Sequence, residues 1–247
     1  MRRPAGPWTP TVHALLNYLE AQQFSGSPRA IGIDGQGREV LTFLPGETVG
    51  DAQPWPAWVH SDAALLDVGA WLRRYHDTVA GFVPPADAAW RLASQQWKPG
   101  MIVGHNDAAP YNAVWRAVST QGGGRLSGFI DWDFAGPCSA IWDLAYVVFS
   151  WGPLHARDTV TAEGFSRFED RPRRVRLLLD AYGYTGTMTA ILAAVRARVE
   201  DLSDTVLRLA REGDPLFRRM VTDGTVDAQR RALAELDRDA ATFEAAG

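Results

Sequence analysis

The sequence holds one cysteine, Cys138, and one lysine, Lys98. A single cysteine excludes an internal disulfide framework and any cysteine-rich zinc site. It fits a reducing compartment, and the expectation is a cytoplasmic protein. The opening residues Met1-Arg2-Arg3-Pro4 lack the apolar core of a signal peptide. No run approaches the roughly 18 apolar residues of a membrane span, so no membrane partner is expected. Basic blocks are also missing and the net charge is −4, which argues against a nucleic-acid partner. Almost all positive charge is arginine. Any function that requires a lysine must use Lys98 or go without.

What is present is ordinary for a folded chain: 46% hydrophobic and 22% charged residues over 247 positions. That length allows one large domain or two unequal lobes sharing a cleft. Ten tryptophans point to a well-filled core. Thr9-Pro10 opens a helix, with Val12, Leu15, Leu16 and Leu19 as its apolar stripe to about Gln23. Residues 30–33 and 40–43 read as a hairpin around Asp34-Gly35-Gln36-Gly37. Ser61-Asp62 starts a helix to about His76, and a short helical stretch is expected at 87–96. Residues 101–104, 113–115 and 126–130 read as strands, the last two joined by Gly122-Gly123-Gly124. From Ala140 the chain reads as three or four long helices.

The polar residues concentrate between these central strands. In Gly104-His105-Asn106-Asp107-Ala108-Ala109-Pro110-Tyr111-Asn112 an aspartate and an asparagine stand five positions apart, with a histidine two before the aspartate. Phosphoryl transfer needs a carboxylate to orient the attacking hydroxyl and accept its proton, and oxygen ligands to hold Mg2+ against nucleotide phosphates. Asp107 suits the first task and the Asn112 side-chain oxygen the second. The spacing H-x-D-x-x-x-x-N is that of kinase catalytic loops. Asp and Asn also serve ordinary loops as caps and turns, so this segment alone leaves both readings open. Phe129-Ile130-Asp131-Trp132-Asp133 adds a carboxylate just past an apolar strand. A hairpin between Asn112 and Asp131 would return Asp131 to the side of Asp107. Asp133 reads more simply as a turn residue, weighed against a supporting acid of the site.

Three ordered segments carry a resemblance. They are Gly104 through Asn112, Ile130-Asp131-Trp132-Asp133-Phe134-Ala135-Gly136-Pro137, and Trp142-Asp143-Leu144-Ala145-Tyr146. Together they resemble the signature of the aminoglycoside-phosphotransferase and choline-kinase superfamily, best over residues 28–154. The resemblance implies an α+β, protein kinase-like two-lobed fold with a reduced N-lobe and a mainly helical C-lobe. Residues 1–46 would be the partial N-lobe, a helix plus a β-hairpin, and 47–247 the C-lobe. It implies a kinase that moves the γ-phosphoryl group of ATP or GTP to a hydroxyl of a small metabolite or antibiotic. Asp107 would be the base, and Asn112 and Asp131 would bind Mg2+. Phe43, Leu44 and Gly46 resemble the segment against which the nucleotide base lies. His105 would brace the loop, and Asp143 would tie a helix start to it by hydrogen bonds.

The chain departs from that family at its start. Members open with a glycine-rich hairpin over the phosphates, a lysine on the following strand, and a helix glutamate that holds the lysine. Here no lysine precedes Lys98, and the first helix has Val12 and His13 where the glutamate is expected. Arg2 or Arg3 would supply the missing charge, set against a plain solvated basic terminus. Two explanations follow: the first strands lie upstream of this sequence, or the chain is a weak or inactive kinase-fold protein that binds or regulates. A metal-dependent hydrolase reusing the carboxylates is a third class. Residues 155–247 hold 16 acidic residues against 15 arginines, which does not single out a polycationic acceptor. The scattered histidines lack metal-ligand spacing, and His76 reads as a helix-end residue. No G-x-S-x-G elbow or G-K-[ST] loop is present.

Overall fold

The computed structural model describes residues 1–50, 53–92, 96–117 and 124–245. A three-stranded antiparallel sheet comes first, in the order β1 (Arg2–Pro4), β3 (Arg38–Leu41), β2 (Ala30–Ile33). Between β1 and β2 lies helix α1 (Thr9–Ala21), started by a proline in its first turn, where a missing N–H costs nothing. Its stripe Val12, Leu15, Leu16 and Leu19 is fully buried. The expected hairpin is therefore present, with β1 added on its outer edge. Residues 2–4 carry too little sequence pattern to show a strand, and pairing with β3 makes them one.

Helix α2 (Asp62–Val79) is capped by Ser61, whose Oγ accepts from the Ala64 N–H at 3.2 Å. It runs a turn past His76, since His76 itself is buried and packed rather than terminal. The helix expected over 87–96 does not form at 87–92, which are turn and coil; residues 93–95 lie outside the described residues. Ala89 there donates its N–H to Thr11 Oγ1, a partner on α1 that a helix would not allow.

Four short strands then make two antiparallel pairs. β4 (Ile102–Gly104) pairs with β7 (Gly136–Cys138), and β5 (Ala113–Ala117) with β6 (Gly124–Phe129). The turn between β5 and β6, with Gly122 and Gly123, lies outside the described residues. β7 was not expected, because Gly-Pro-Cys has weak strand character and is recruited only by pairing with β4. Six helices follow: α3 (Ala140–Trp151), α4 (Arg157–Ala162), α5 (Arg171–Tyr182), α6 (Met188–Glu212), α7 (Pro215–Thr222) and α8 (Thr225–Ala245). α5 and α6 end on Gly183 and Gly213 in the left-handed region, where a side chain would be strained.

One core joins the small sheet to the helical body. α1 contributes its leucines, α2 contributes Trp71, Leu72 and Tyr75, and α3 contributes Val147, Val148 and Trp151. Trp71, Tyr75, Phe129 and Trp132 pack ring to ring beneath the central strands. This aromatic base supports the loops that leave β4 and β6.

Candidate active site

The register of the two strand pairs assembles the site. In β4–β7, Gly104 faces Gly136; in β5–β6, Ala113 faces Phe129. The Ile130 N–H donates to the Asn112 carbonyl at 2.9 Å, so the loop after β6 lies beside the end of the loop before β5. Asp131 follows directly, in a left-handed conformation with φ 61°. Asn106 has φ 62°. Asn and Asp tolerate that region better than other side-chain residues, and such strain persists where surrounding structure holds it.

Asp143 pins the first loop. It lies in the first turn of α3, fully buried, and accepts from the His105 N–H at 3.1 Å, the Asn106 N–H at 2.7 Å and His76 Nε2 at 3.0 Å. Burial pushes its carboxyl up, and these donors more than offset that, leaving it below the ordinary aspartate value. His76 in turn contacts the Tyr182 hydroxyl through Nδ1. The loop also depends on Gly104: a Cβ there would stand 2.9 Å from Asp143 Cγ and 2.5 Å from Cys138 Sγ. His105 Nδ1 accepts from the Asp107 N–H at 3.3 Å, so its proton sits on Nε2, which donates to the Ile130 carbonyl at 3.2 Å. Its ring is buried against Trp132, and burial lowers its pKa. His105 thereby links the two loops as a neutral ring.

Asp107 is buried, and that burial, helped by the nearby Asp131 charge, raises its pKa to about 7. Tyr111 opposes the rise by donating its hydroxyl to Oδ1 at 2.7 Å. Tyr146, 2.8 Å from the Tyr111 oxygen, extends the chain of hydroxyls. Asn112 Nδ2 donates to Asp107 Oδ2 at 2.8 Å and to the Asp107 carbonyl at 3.0 Å. With the amide nitrogen so committed, Asn112 Oδ1 is the atom left to face a cation.

Asp131 is the exposed member, with half of its side chain (51%) open to solvent. Arg3 Nη1 donates to its Oδ1 at 2.7 Å, and Arg3 Nη2 to Asp133 Oδ1 at 2.6 Å. Arg3 Nε bonds to Glu39 on β3, a buried carboxylate that also meets His13 Nε2 at 2.9 Å. Burial works against the Arg3 charge, but Glu39, Asp133 and Asp131 outweigh it and raise its pKa. Arg3 is therefore not a solvated terminal residue, and Asp133 is not a free turn residue. Asp133 also takes Arg91 Nη1 at 3.2 Å, while the Arg91 guanidinium lies over the Trp8 and Phe134 rings.

Phe43, Leu44 and Gly46 lie on the strip between β3 and β5. Phe43 is 71% exposed, and Glu47 forms a two-way backbone bridge with Trp115 on β5. Gly46, at φ 141°, has the Trp115 carbonyl against the position a Cβ would take. Arg198 on α6 donates Nη2 to the Asn106 carbonyl at 3.1 Å and lies over the Tyr146 ring. Sequence reading missed Glu39, Tyr111, Tyr146 and Arg198. Tyr111 and Tyr146 had a visible signal, since each sits inside one of the quoted segments.

The phosphotransferase enzyme family profile matches residues 80–178. The trifolitoxin immunity protein of Rhizobium leguminosarum bv. trifolii is 37% identical over 185 residues, 73% of this chain and 66% of that protein. Residues 80–178 thus carry the pattern of the phosphotransferase enzyme family. The chain spans about 66% of the length of that curated relative. Its fold is that of protein kinase-like phosphotransferases. The GDP complex of aminoglycoside 2'-phosphotransferase-IIIa superposes with a TM-score of 0.60 at 13% identity, covering 91% of this chain and 81% of that one. Amicoumacin kinase hAmiN, in complex with AMP-PNP, Ca2+ and Ami, gives 0.56 at 12% identity, covering 91% and 78%. An ethanolamine kinase of Plasmodium vivax gives 0.51 at 10% identity, covering 100% and 77%. Among the described residues, no helix is long and apolar enough to cross a membrane.

Proposed function

We propose that this chain is a phosphotransferase that moves the γ-phosphoryl group of ATP or GTP to a hydroxyl of a small molecule in the cytoplasm. The observation that carries the reading is the state of Asp107: buried, raised to about 7, and already accepting a hydrogen bond from an O–H at 2.7 Å. A carboxylate so poised both orients a hydroxyl and takes its proton near neutral pH. The Tyr111 hydroxyl on Oδ1 supports this reading, since a hydroxyl donor is accommodated at that carboxylate. In this reading residues 1–46 form the reduced N-lobe and 47–247 the C-lobe, with Phe43, Leu44 and Gly46 against the nucleotide base.

Asn112 and Asp131 suit a divalent cation because both offer hard oxygen donors, the preference of Mg2+. Asp131 already attracts a cation, since a guanidinium lies on its Oδ1. When bound, Mg2+ would neutralise phosphate charge during transfer. The chain's own residues do the rest. Asp107 aligns the acceptor hydroxyl and accepts its proton. Asn112 holds Asp107 in place through Nδ2. His105 and Asp143 keep the two loops in register.

A toxin-directed binding protein is the second reading, favoured by the immunity protein that shares 37% of aligned positions. Nucleotide titration with and without Mg2+, followed by a transfer screen over hydroxylated metabolites and antibiotics, separates the two. Mg2+-dependent nucleotide binding with phosphorylated product supports the transferase. Acceptor binding that ignores both nucleotide and Mg2+ supports the binding protein and removes the first reading.

A further inference from the structure

The three carboxylates around Arg3 hold it unequally. Glu39, at its Nε, is buried, and its other oxygen faces His13. Asp131, at Nη1, is half open to solvent. Asp133, at Nη2, has a second cation in Arg91. If the guanidinium tip turned away, Asp131 would face water and Asp133 would keep Arg91. If the Nε bond broke, a buried carboxylate would lose its cation, which is far more costly. The Nε–H bond to Glu39 is thus the pivot, and the planar guanidinium, swinging about that bond as one unit, carries Nη1 and Nη2 off Asp131 and Asp133 together. Lys98, the only lysine, is exposed and stands just before β4.

We propose that Arg3 is an exchangeable cation of the nucleotide site. Without ligand its tip neutralises Asp131 and Asp133; when a divalent cation takes Asp131, the tip, still tethered by Glu39, turns to the phosphate oxygens of the nucleotide. The inference rests on the phosphotransferase reading and names a cation within reach of that site that would meet the nucleotide phosphates. Its chemical basis is competition: a guanidinium on Asp131 Oδ1 and a divalent cation on the same carboxylate would repel each other at close range. A displaced guanidinium is a two-pronged donor that matches phosphate. β1 is held to this place by its register with β3, Arg3 lying opposite Glu39.

The test is calorimetric titration of the full chain with Mn2+ alone, and with AMP-PNP in the presence of Mn2+. Wild type is compared with Arg3→Met, Arg3→Lys and the double variant Arg3→Met/Glu39→Gln. The double variant removes the buried charge that Arg3→Met would strand, and thermal unfolding checks that each protein is folded. Loss of Arg3 is expected to tighten Mn2+ alone by about fivefold, the effect of removing one nearby charge in water-like surroundings. The same loss is expected to weaken AMP-PNP with Mn2+ by about 10- to 100-fold, the loss of a charged hydrogen bond. Arg3→Lys should fall between. The opposite signs are the signature, because a purely structural role would move both affinities the same way. Shifts of equal sign, or no shift in the double variant, overturn the proposal. Wild type that fails to bind AMP-PNP with Mn2+ overturns the phosphotransferase reading itself, and this one with it, before any variant is compared.

Discussion

The Tyr111 hydroxyl donates to Asp107 Oδ1 at 2.7 Å, so the candidate base is capped by a residue four positions along its own loop. Asp107→Asn keeps the shape of the side chain and removes the proton acceptor. Turnover should fall by about 10²- to 10⁴-fold, the usual worth of a general base, with nucleotide affinity nearly unchanged. Tyr111→Phe leaves the base intact and should cost less than about tenfold. Steady-state kinetics on the two variants decide this; equal losses would move the base role away from Asp107.

Asp131 stands at the open edge of the site, and its backbone is held in the left-handed region. Asp131→Asn preserves a residue type that tolerates that conformation while removing the charge. It should weaken Mg2+-dependent nucleotide binding at least tenfold and leave the melting temperature within a few degrees. A normal Mg2+ titration of Asp131→Asn would remove Asp131 from the metal set.

Asp143 satisfies two backbone N–H groups and His76 in a fully buried position. Asp143→Ala would leave these donors without partners, at a cost of about 3–5 kcal/mol. Chemical denaturation measures it directly. A loss below about 1 kcal/mol would mean that the loop is held by other contacts.

Glu163 is set by burial alone, which raises its carboxyl to about 7. Its folded pKa lies above the unfolded value, so the folded chain holds a proton that the unfolded chain has lost. Stability from this group is complete below the unfolded pKa near 4.5 and falls as pH rises through about 7. Glu163→Gln should flatten that fall and raise the melting temperature above pH 7 relative to wild type. Melting curves from pH 5 to about 8.5 provide the check.

Much of this was visible before any coordinates. Asp107, Asn112 and Asp131 stood out as candidates because short polar residues after apolar strands are conspicuous in a chain with few motifs. Asp143 was legible by its place in the third segment. Arg3 was legible only as one of two candidate charges at the terminus, and Glu39 not at all, because each lies in a strand of three or four residues and acquires its partners only through the fold. His76 was read as a helix end, yet the structure places it between Tyr182 and Asp143, 106 and 67 positions away.

The sequence alone determined the local conformations: the caps, the glycine-ended helices, the apolar stripes and the loop spacing that sets Asp107 five residues before Asn112. These depend on interactions within a few residues, and the chain carries them wherever it goes. Only the tertiary structure decided which charges meet. Arg3 reaches Asp131 across 128 positions because the register of β1 on β3 holds it where the loop after β6 presents that carboxylate. An ion pair of that separation leaves no periodic trace in sequence, since its geometry belongs to the packing.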